Sequence, residues 1–280
     1  MVRSQKRVGV SPHAYCLPVV EGLQEDAAFD LCVDVPTRNA IRLRQQELEL
    51  AFLTPIDYAR ESSEYQIIPS VAVSSRQGND TIVLHFREGL QTISTLAVDP
   101  SSTSEIILAK ILLAEKFHVQ PVLVPASGSL PEMLTKGDAA LLVGDQALDV
   151  SLSHPNKLDL VEEWVDLVEL PYVYGFWCGR EKAILPEEIL RLQQARDEGL
   201  RAIATRGPES ARLHARHRSP ESLKRYLESF LYDFTDEVRN AVGEFLRYAY
   251  YYGVLPDVAD LHFYSTAAGD EPGRDEFSLN

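Results

Sequence analysis

The stretch Thr95–Lys116, TLAVDPSSTSEIILAKILLAEK, constrains the fold more than any other part of the chain. Leu96–Val98 reads as a short buried strand, Asp99–Ser104 as a tight hydroxyl-rich turn, and the remainder as a helix. Ile106, Ile107, Leu108, Ile111, Leu112 and Leu113 leave polar side chains in that helix only at Glu105, Lys110, Glu115 and Lys116. A helix this apolar has to be covered on nearly every side, as helices laid on a parallel sheet are. Its first turn then falls at the carboxyl end of a strand, where open α/β sheets bind ligands. The free N–H groups there suit a carboxylate or a phosphate. A second reading stays open. Ser102 and Glu105 have the S-x-x-E spacing of a capping box, which would satisfy the helix's own donors. Glu105 also puts negative charge where an anion would otherwise be welcome.

The rest of the chain supplies partners for that unit. Lys6–Val10 is a short strand, followed by a loop with Pro12 and Pro18 and a helix around Val19–Leu23. Phe29–Val35 and Leu48–Leu53 read as strands separated by a helix over Thr37–Gln46 with Thr37 as its N-cap. Ile67–Val73 and Thr81–Phe86 are further strands joined by the polar loop SSRQGND, in which Gly78 and Asn79 are turn formers. After the organising unit come a strand at Pro121–Val124, a helix at Leu130–Lys136 and a strand at Ala139–Val143. An amphipathic helix over Lys157–Leu170 and an aromatic strand at Tyr172–Cys178 follow. From Pro186 the pattern is helical only: Glu187–Arg206 with Gly207 and Pro208 as its stop, Pro220–Phe230, and Thr235–Tyr252. Strands alternating with helices at this spacing mean βαβ units and a largely parallel sheet. The layout predicts an α/β protein of two lobes. The first comprises residues 1–92 and 172–264, the second residues 93–171, and residues 265–280 form a loose polar tail. Two crossings between lobes leave a cleft, and ligands favour such crevices.

Composition narrows the partners. A formal charge of −15 argues against nucleic acid and anionic membranes, yet permits a small anion held by a local cluster of donors. Cys16, Cys32 and Cys178 form no C-x-x-C pair, so neither a disulfide framework nor a zinc site is expected and a reducing cytoplasm suits the chain. Arg3, Lys6 and Arg7 are followed by a segment too broken by proline for a signal peptide, and no run is long enough to span a bilayer. No Gly-rich phosphate loop, H-E-x-x-H or G-x-S-x-G occurs. His214 and His217, spaced i,i+3, sit among Arg212, Arg216 and Arg218, which reads as a solvated basic face rather than a metal site.

Five segments in this order resemble the chorismate dehydratase family of the futalosine route to menaquinone. They are RVGVSPHAYCLPV (7–19), AVDPSSTSEIILAKILL (97–113), AALLVGDQAL (139–148), DLVEEWVDLVELPYVYGFW (159–177) and FLRYAYYYGVLPDVADLHFY (245–264). The resemblance implies a type II periplasmic-binding-protein-like fold with a central cleft and extra C-terminal helices. It also implies a lyase that removes water from chorismate to give 3-enolpyruvylbenzoate without metal or cofactor, the substrate's own enolpyruvyl carboxylate acting as base. Two positions depart from the family pattern: Tyr15 stands where an Asn is implicated in catalysis, and Thr103 where an Arg precedes Thr and Ser. Losing a guanidinium removes a bidentate carboxylate partner worth about 1.5–3 kcal/mol, for which Arg38 or Arg76 could substitute. Thr81 replaces a substrate-facing serine and keeps the hydroxyl.

The candidate site therefore comprises Tyr15 as the catalytic position, with His13, Thr81, Ser101, Ser102, Thr103, Ser104, Gly144, Asp145 and Trp177 around the substrate. Each has an ordinary alternative: Tyr15 as a packing ring, His13 as an exposed loop residue, Asp145 as a helix N-cap, Trp177 and its neighbour Tyr174 as core. The expected partner is a small anionic, chorismate-like metabolite, and a homodimer is left open. Two rival functions remain: a non-catalytic small-carboxylate-binding protein of the same fold, and a later enzyme of the same route.

Overall fold

The computed structural model describes residues 5–150, 154–206 and 219–265. The predicted βαβ pattern opens the chain: β1 (Lys6–Val10), the short helix α1 (Leu17–Val20), β2 (Phe29–Val33), α2 (Pro36–Arg44), β3 (Leu50–Leu53) and α3 (Pro55–Ala59). Parallel pairing sets β2 and β3 on either side of β1. Helix α2 starts one residue before the expected N-cap, with Val35 at the cap and Pro36 in the first turn, where a missing N–H costs nothing. Thr37 is thereby freed from capping.

The long strand β4 (Tyr65–Ser75) forms an edge of the first sheet, and β5 (Ile82–Phe86) enters the second. The second sheet continues with β6 (Thr95–Val98), α4 (Thr103–Phe117), β7 (Val122–Pro125), α5 (Leu130–Leu134), β8 (Ala139–Val143), α6 (Asp145–Val150), β9 (Lys157–Asp159) and α7 (Leu160–Val168). Its strand order is β7-β6-β8-β5-β9, with β5 antiparallel to both of its neighbours. The chain returns through β10 (Tyr172–Arg180), antiparallel between β3 and β4, giving the first sheet the order β2-β1-β3-β10-β4. Helices α8 (Pro186–Arg206), α9 (Pro220–Leu227) and α10 (Asp236–Tyr251) then cover that lobe.

Most element ends fall within a few residues of the sequence reading, and two differences change the layout. The first crossover lies between Ser75 and Ile82 rather than near residue 92, because β5 hydrogen-bonds to β8 and β9. Ile82–Phe86 therefore belongs to the second sheet. Lys157–Asp159 is an edge strand on β5 and not the first turn of a helix. Asp159 then caps α7, accepting from Val161 and Glu162 N–H. The predicted stop at Gly207–Pro208, the histidines 214 and 217 and the tail from residue 266 lie outside the described residues.

Helix α4 occupies the centre, as its composition demands. Ile107, Leu108, Ile111, Leu112 and Leu113 are all buried, each contributing on the order of 2 kcal/mol of transfer free energy. The helix is enclosed by the second sheet, α3, α7 and α10. The last described segment also ties down the first lobe: Ile67 N–H donates to His262 O at 2.7 Å and Tyr264 N–H to Ile67 O at 3.0 Å. Among the described residues no helix is long and apolar enough to cross a membrane.

Candidate functional site

A cavity of ≈ 150 Å³ lies between the lobes, close to the size that holds one six-membered ring. His13 and Tyr15 reach it from the loop after β1, Val35 and Pro36 from the start of α2, and Thr54 from the end of β3. The opposite wall is Asp99, Ser101, Ser102 and Glu105 after β6, Ser127 after β7, Met133 on α5, and Leu141, Val143 and Gln146 from β8 and its exit. The carboxyl ends of parallel strands from both sheets thus converge on one space, the position expected of a ligand site in an open α/β sheet.

The turn between β6 and α4 is shaped by Asp99. One of its carboxylate oxygens accepts from Ser101 N–H at 2.9 Å and from Ser101 Oγ at 2.7 Å, the local bonding by which Asp favours turns over helix. This aims the serines at the cavity and leaves Ser102 as the N-cap residue without a side-chain cap bond. The capping-box reading is therefore overturned. Glu105 does not fold back on Ser102; it is 4 % exposed and faces the cavity. Burial pushes its carboxyl up to about 7, its own backbone N–H opposes this, and the Asp57 carboxylate adds to it.

Asp57 is also buried and its carboxyl is raised by that burial, but it has partners. Thr54 Oγ1 donates to it at 2.9 Å, Thr103 Oγ1 lies at 3.4 Å and the Arg60 guanidinium at 3.7 Å. Tyr15 is 1 % exposed and packs on His13 (5.2 Å between ring centroids), Tyr174 (4.9 Å) and Phe230 (5.8 Å). Burial, followed by the fields of Cys16 and Glu105, drives its phenol well above the usual range. The phenol stays neutral, able to donate.

The remaining candidates separate by position. Thr103, Ser104, Gly144 and Asp145 form the seam where the lobes meet. Thr37 Oγ1 donates to Ser101 O at 2.7 Å and shares a 2.7 Å bond with Thr103 Oγ1. Ile56 N–H donates to Ser104 Oγ at 3.3 Å, and Ala14 N–H to an Asp145 carboxylate oxygen at 3.2 Å. Gly144 has φ +67°, and a Cβ there would sit 2.2 Å from His13 Nδ1. Thr81 and Trp177 do not line the cavity. Thr81 is fully buried and its hydroxyl bonds Tyr226 OH at 2.9 Å. Trp177 is core, edge-on to Phe52 at 5.4 Å.

Arg38 and Arg76, the proposed replacements for a guanidinium, do not line the cavity either, and Arg76 pairs with Glu237. The residues missed at first were Thr54, Asp99, Glu105, Ser127 and Gln146. Glu105 carried a signal, because a carboxylate three residues into a helix covered on all sides has little room to reach solvent.

A family model described as menaquinone biosynthesis matches residues 6–251. The chain belongs to that family. The segments that first carried the resemblance lie on β1, β6–α4, β8–α6, α7–β10 and α10, and so include most of what surrounds the cavity of this menaquinone biosynthesis protein. Its structure is similar to protein AF1704 from Archaeoglobus fulgidus, with a TM-score of 0.69 at 19 % identity, covering 90 % of this chain and 98 % of that one. It is also similar to the periplasmic aliphatic sulphonate binding protein SsuA from Escherichia coli (TM-score 0.66, 12 % identity, 92 % and 96 % covered). A third match is the Candida albicans CA3427 gene product, described as having the generic periplasmic binding protein structural fold (TM-score 0.65, 13 % identity, 91 % and 92 % covered). The two-lobed periplasmic-binding-protein fold is thereby established for a member of a biosynthetic family.

Proposed function

We propose that the protein is a lyase of the chorismate dehydratase type, acting in the cytoplasm within menaquinone synthesis. The substrate class is a cyclohexadienol dicarboxylate, and the product an aromatic enolpyruvyl ether formed by loss of water. The observation that carries this reading is the hydroxyl-lined interlobe cavity built around Asp99–Glu105, in a chain whose family works in that route.

The chemistry asks for positioning more than for a strong protein base. The ring hydrogen is removed by the substrate's own enolpyruvyl carboxylate, so the protein has to hold that carboxylate against the ring. Ser102 and His13 offer donors to the substrate's carboxylates, while the hydroxyl protons of Ser101 and Thr54 already go to Asp99 and Asp57, and Tyr15 offers a neutral phenol where other members have an Asn. Preorganised donors of this kind stabilise charge as it develops, without reorganisation at the moment of reaction.

The test is incubation of the purified chain with chorismate, following 3-enolpyruvylbenzoate by chromatography. Turnover supports the reading, and its absence at every pH defeats it. A second reading, a non-catalytic carboxylate-binding protein, is favoured by one specific observation: among the described residues no Lys or Arg lines the cavity to take the place of the guanidinium expected for the reaction. Thermal stabilisation by chorismate with no product would decide for it. Turnover of a later intermediate of the route, with none of chorismate, would decide for the later enzyme.

A further inference from the structure

Two buried carboxyl groups lie at the site, Glu105 on the cavity wall and Asp57 behind Thr54, and the structure treats them differently. Asp57 has a hydroxyl donated by Thr54 and the nearby Arg60 guanidinium. Glu105 has no ion pair with Lys or Arg among the described residues, is not consumed in a cap, and faces the cavity while 4 % exposed. Two acids whose surroundings diverge in this way tend to divide into a charged and a neutral partner. Asp57 is the one equipped to hold charge. Glu105 is the one kept as a carboxylic acid, and a neutral carboxyl is a proton donor.

We propose, building on the dehydratase reading, that Glu105 is the general acid of this site, giving its proton to the hydroxyl oxygen that leaves the ring. The C–O bond breaks with its electron pair on that oxygen, which takes the Glu105 proton and departs as water rather than hydroxide. The neighbouring ring C–H bond breaks with its proton going to the substrate's enolpyruvyl carboxylate, and its electron pair completes the aromatic ring. The proton on that carboxyl then returns to Glu105, directly or through solvent, so no further reactant is needed.

The position suits this step on both sides. Before reaction, burial and the nearby Asp57 carboxylate disfavour ionised Glu105. As the proton leaves, the new carboxylate lies in the first turn of α4, a 15-residue helix whose N-terminal dipole end favours negative charge. Other titratable groups face it from the neighbouring elements: Tyr15 from the β1 loop, Tyr172 from β10 and Asp57 from α3, with His13 and Asp99 on the cavity wall. Both tyrosines are raised by burial and stay neutral, so they do not compete for the role.

The experiment compares the wild-type chain with Glu105→Gln, measuring chorismate turnover across pH 6–9 and chorismate binding by calorimetry. Removing a general acid typically costs about 10²–10⁴-fold in rate. The expected result is a loss of kcat of at least about a hundredfold in E105Q, with binding kept within a few-fold because the amide preserves shape and neutrality. Wild-type kcat should fall as pH rises past the Glu105 titration, and any residual E105Q activity should lack that limb. Turnover by E105Q close to wild type, or a wild-type rate that climbs through the same range, overturns the assignment while leaving the dehydratase reading standing. No product from the wild-type chain at any pH overturns both.

Discussion

Exchanging Glu105 for glutamine should stabilise the fold, and by more at alkaline pH. The folded chain holds this carboxyl near 7, against an ordinary value of 4.5. A carboxyl raised on folding contributes stability that is complete below its unfolded value and is lost as pH rises through the folded one. The window is therefore pH 4.5 to 7. Integrating the linkage relation, the wild type gives up about 0.4 kcal/mol from this group at pH 4.5 and about 3.4 kcal/mol at pH 8. Glutamine has the same shape and no charge to bury, so its stability has no such slope. The difference between the two proteins should grow by about 3 kcal/mol over that range. For 280 residues, with an unfolding entropy of about 2.1 cal/mol/K per residue, this is a gain of about 5 °C in Tm. Urea melts of both proteins at pH 4.5, 6 and 8 isolate the effect, since all other titrating groups are common to the pair. A stability difference that stays constant across those pH values would refute the buried placement of Glu105, and the acid role with it.

His85 should show the opposite slope. It is fully buried on β5, neither ring nitrogen has a partner among the described residues, and burial, then the charges of His154 and Lys157, lower it to about 4, with Asp80 opposing. The unfolded chain takes up this proton first, so stability is full above pH 6.5 and falls as pH drops toward 4, by about 2 kcal/mol at pH 5. His85→Leu should lack that loss in urea melts at pH 7.5 and 5, and an identical pH dependence in both proteins would refute it. Gly144→Ala introduces a Cβ at φ +67° against the His13 ring. Left-handed backbone alone costs about 1–2 kcal/mol, and His13 has to swing off Tyr15. Chorismate affinity should drop about tenfold or more, equivalent to 1.4 kcal/mol, while circular dichroism stays native. Unchanged affinity would remove His13 from the ligand wall. Tyr15→Asn deletes a ring packed against three others, at a cost of the order of 3 kcal/mol. Tyr15→Phe keeps the packing and is the variant whose turnover reports on the phenol.

Much of this protein was readable from residue order alone. The run Ile106–Leu113 demanded a helix enclosed on every side, and α4 is that helix. Strand, turn and helix at Thr95–Phe117 followed from alternation and from the turn chemistry of Asp99 and the serines, both of which act over a few residues. The same locality explains why His13, Tyr15, Ser101 and Ser102 could be named as pocket residues: each sits just past a strand's carboxyl end. Two-lobed organisation was legible as well, since the βαβ rhythm stops and restarts.

The tertiary structure decided what depends on partners far along the chain. Ile82–Phe86 reads the same whichever sheet it joins, and only its bonds to Ala139–Val143 and Lys157–Asp159 assign it to the second lobe. Trp177 on a buried strand gives no sign of which face meets the core, and Phe52 settles it. Thr103 looked like a ligand residue until Thr37 from the other lobe took its hydroxyl. Glu105 had the spacing of a cap, yet the Asp99 turn leaves Ser102 without that bond and turns the carboxyl into a cavity between two sheets. Local patterning fixes which residues alternate or spiral because its forces act within a turn or two. The environment of a single carboxyl is set by groups dozens of residues away, and only folding brings them to it.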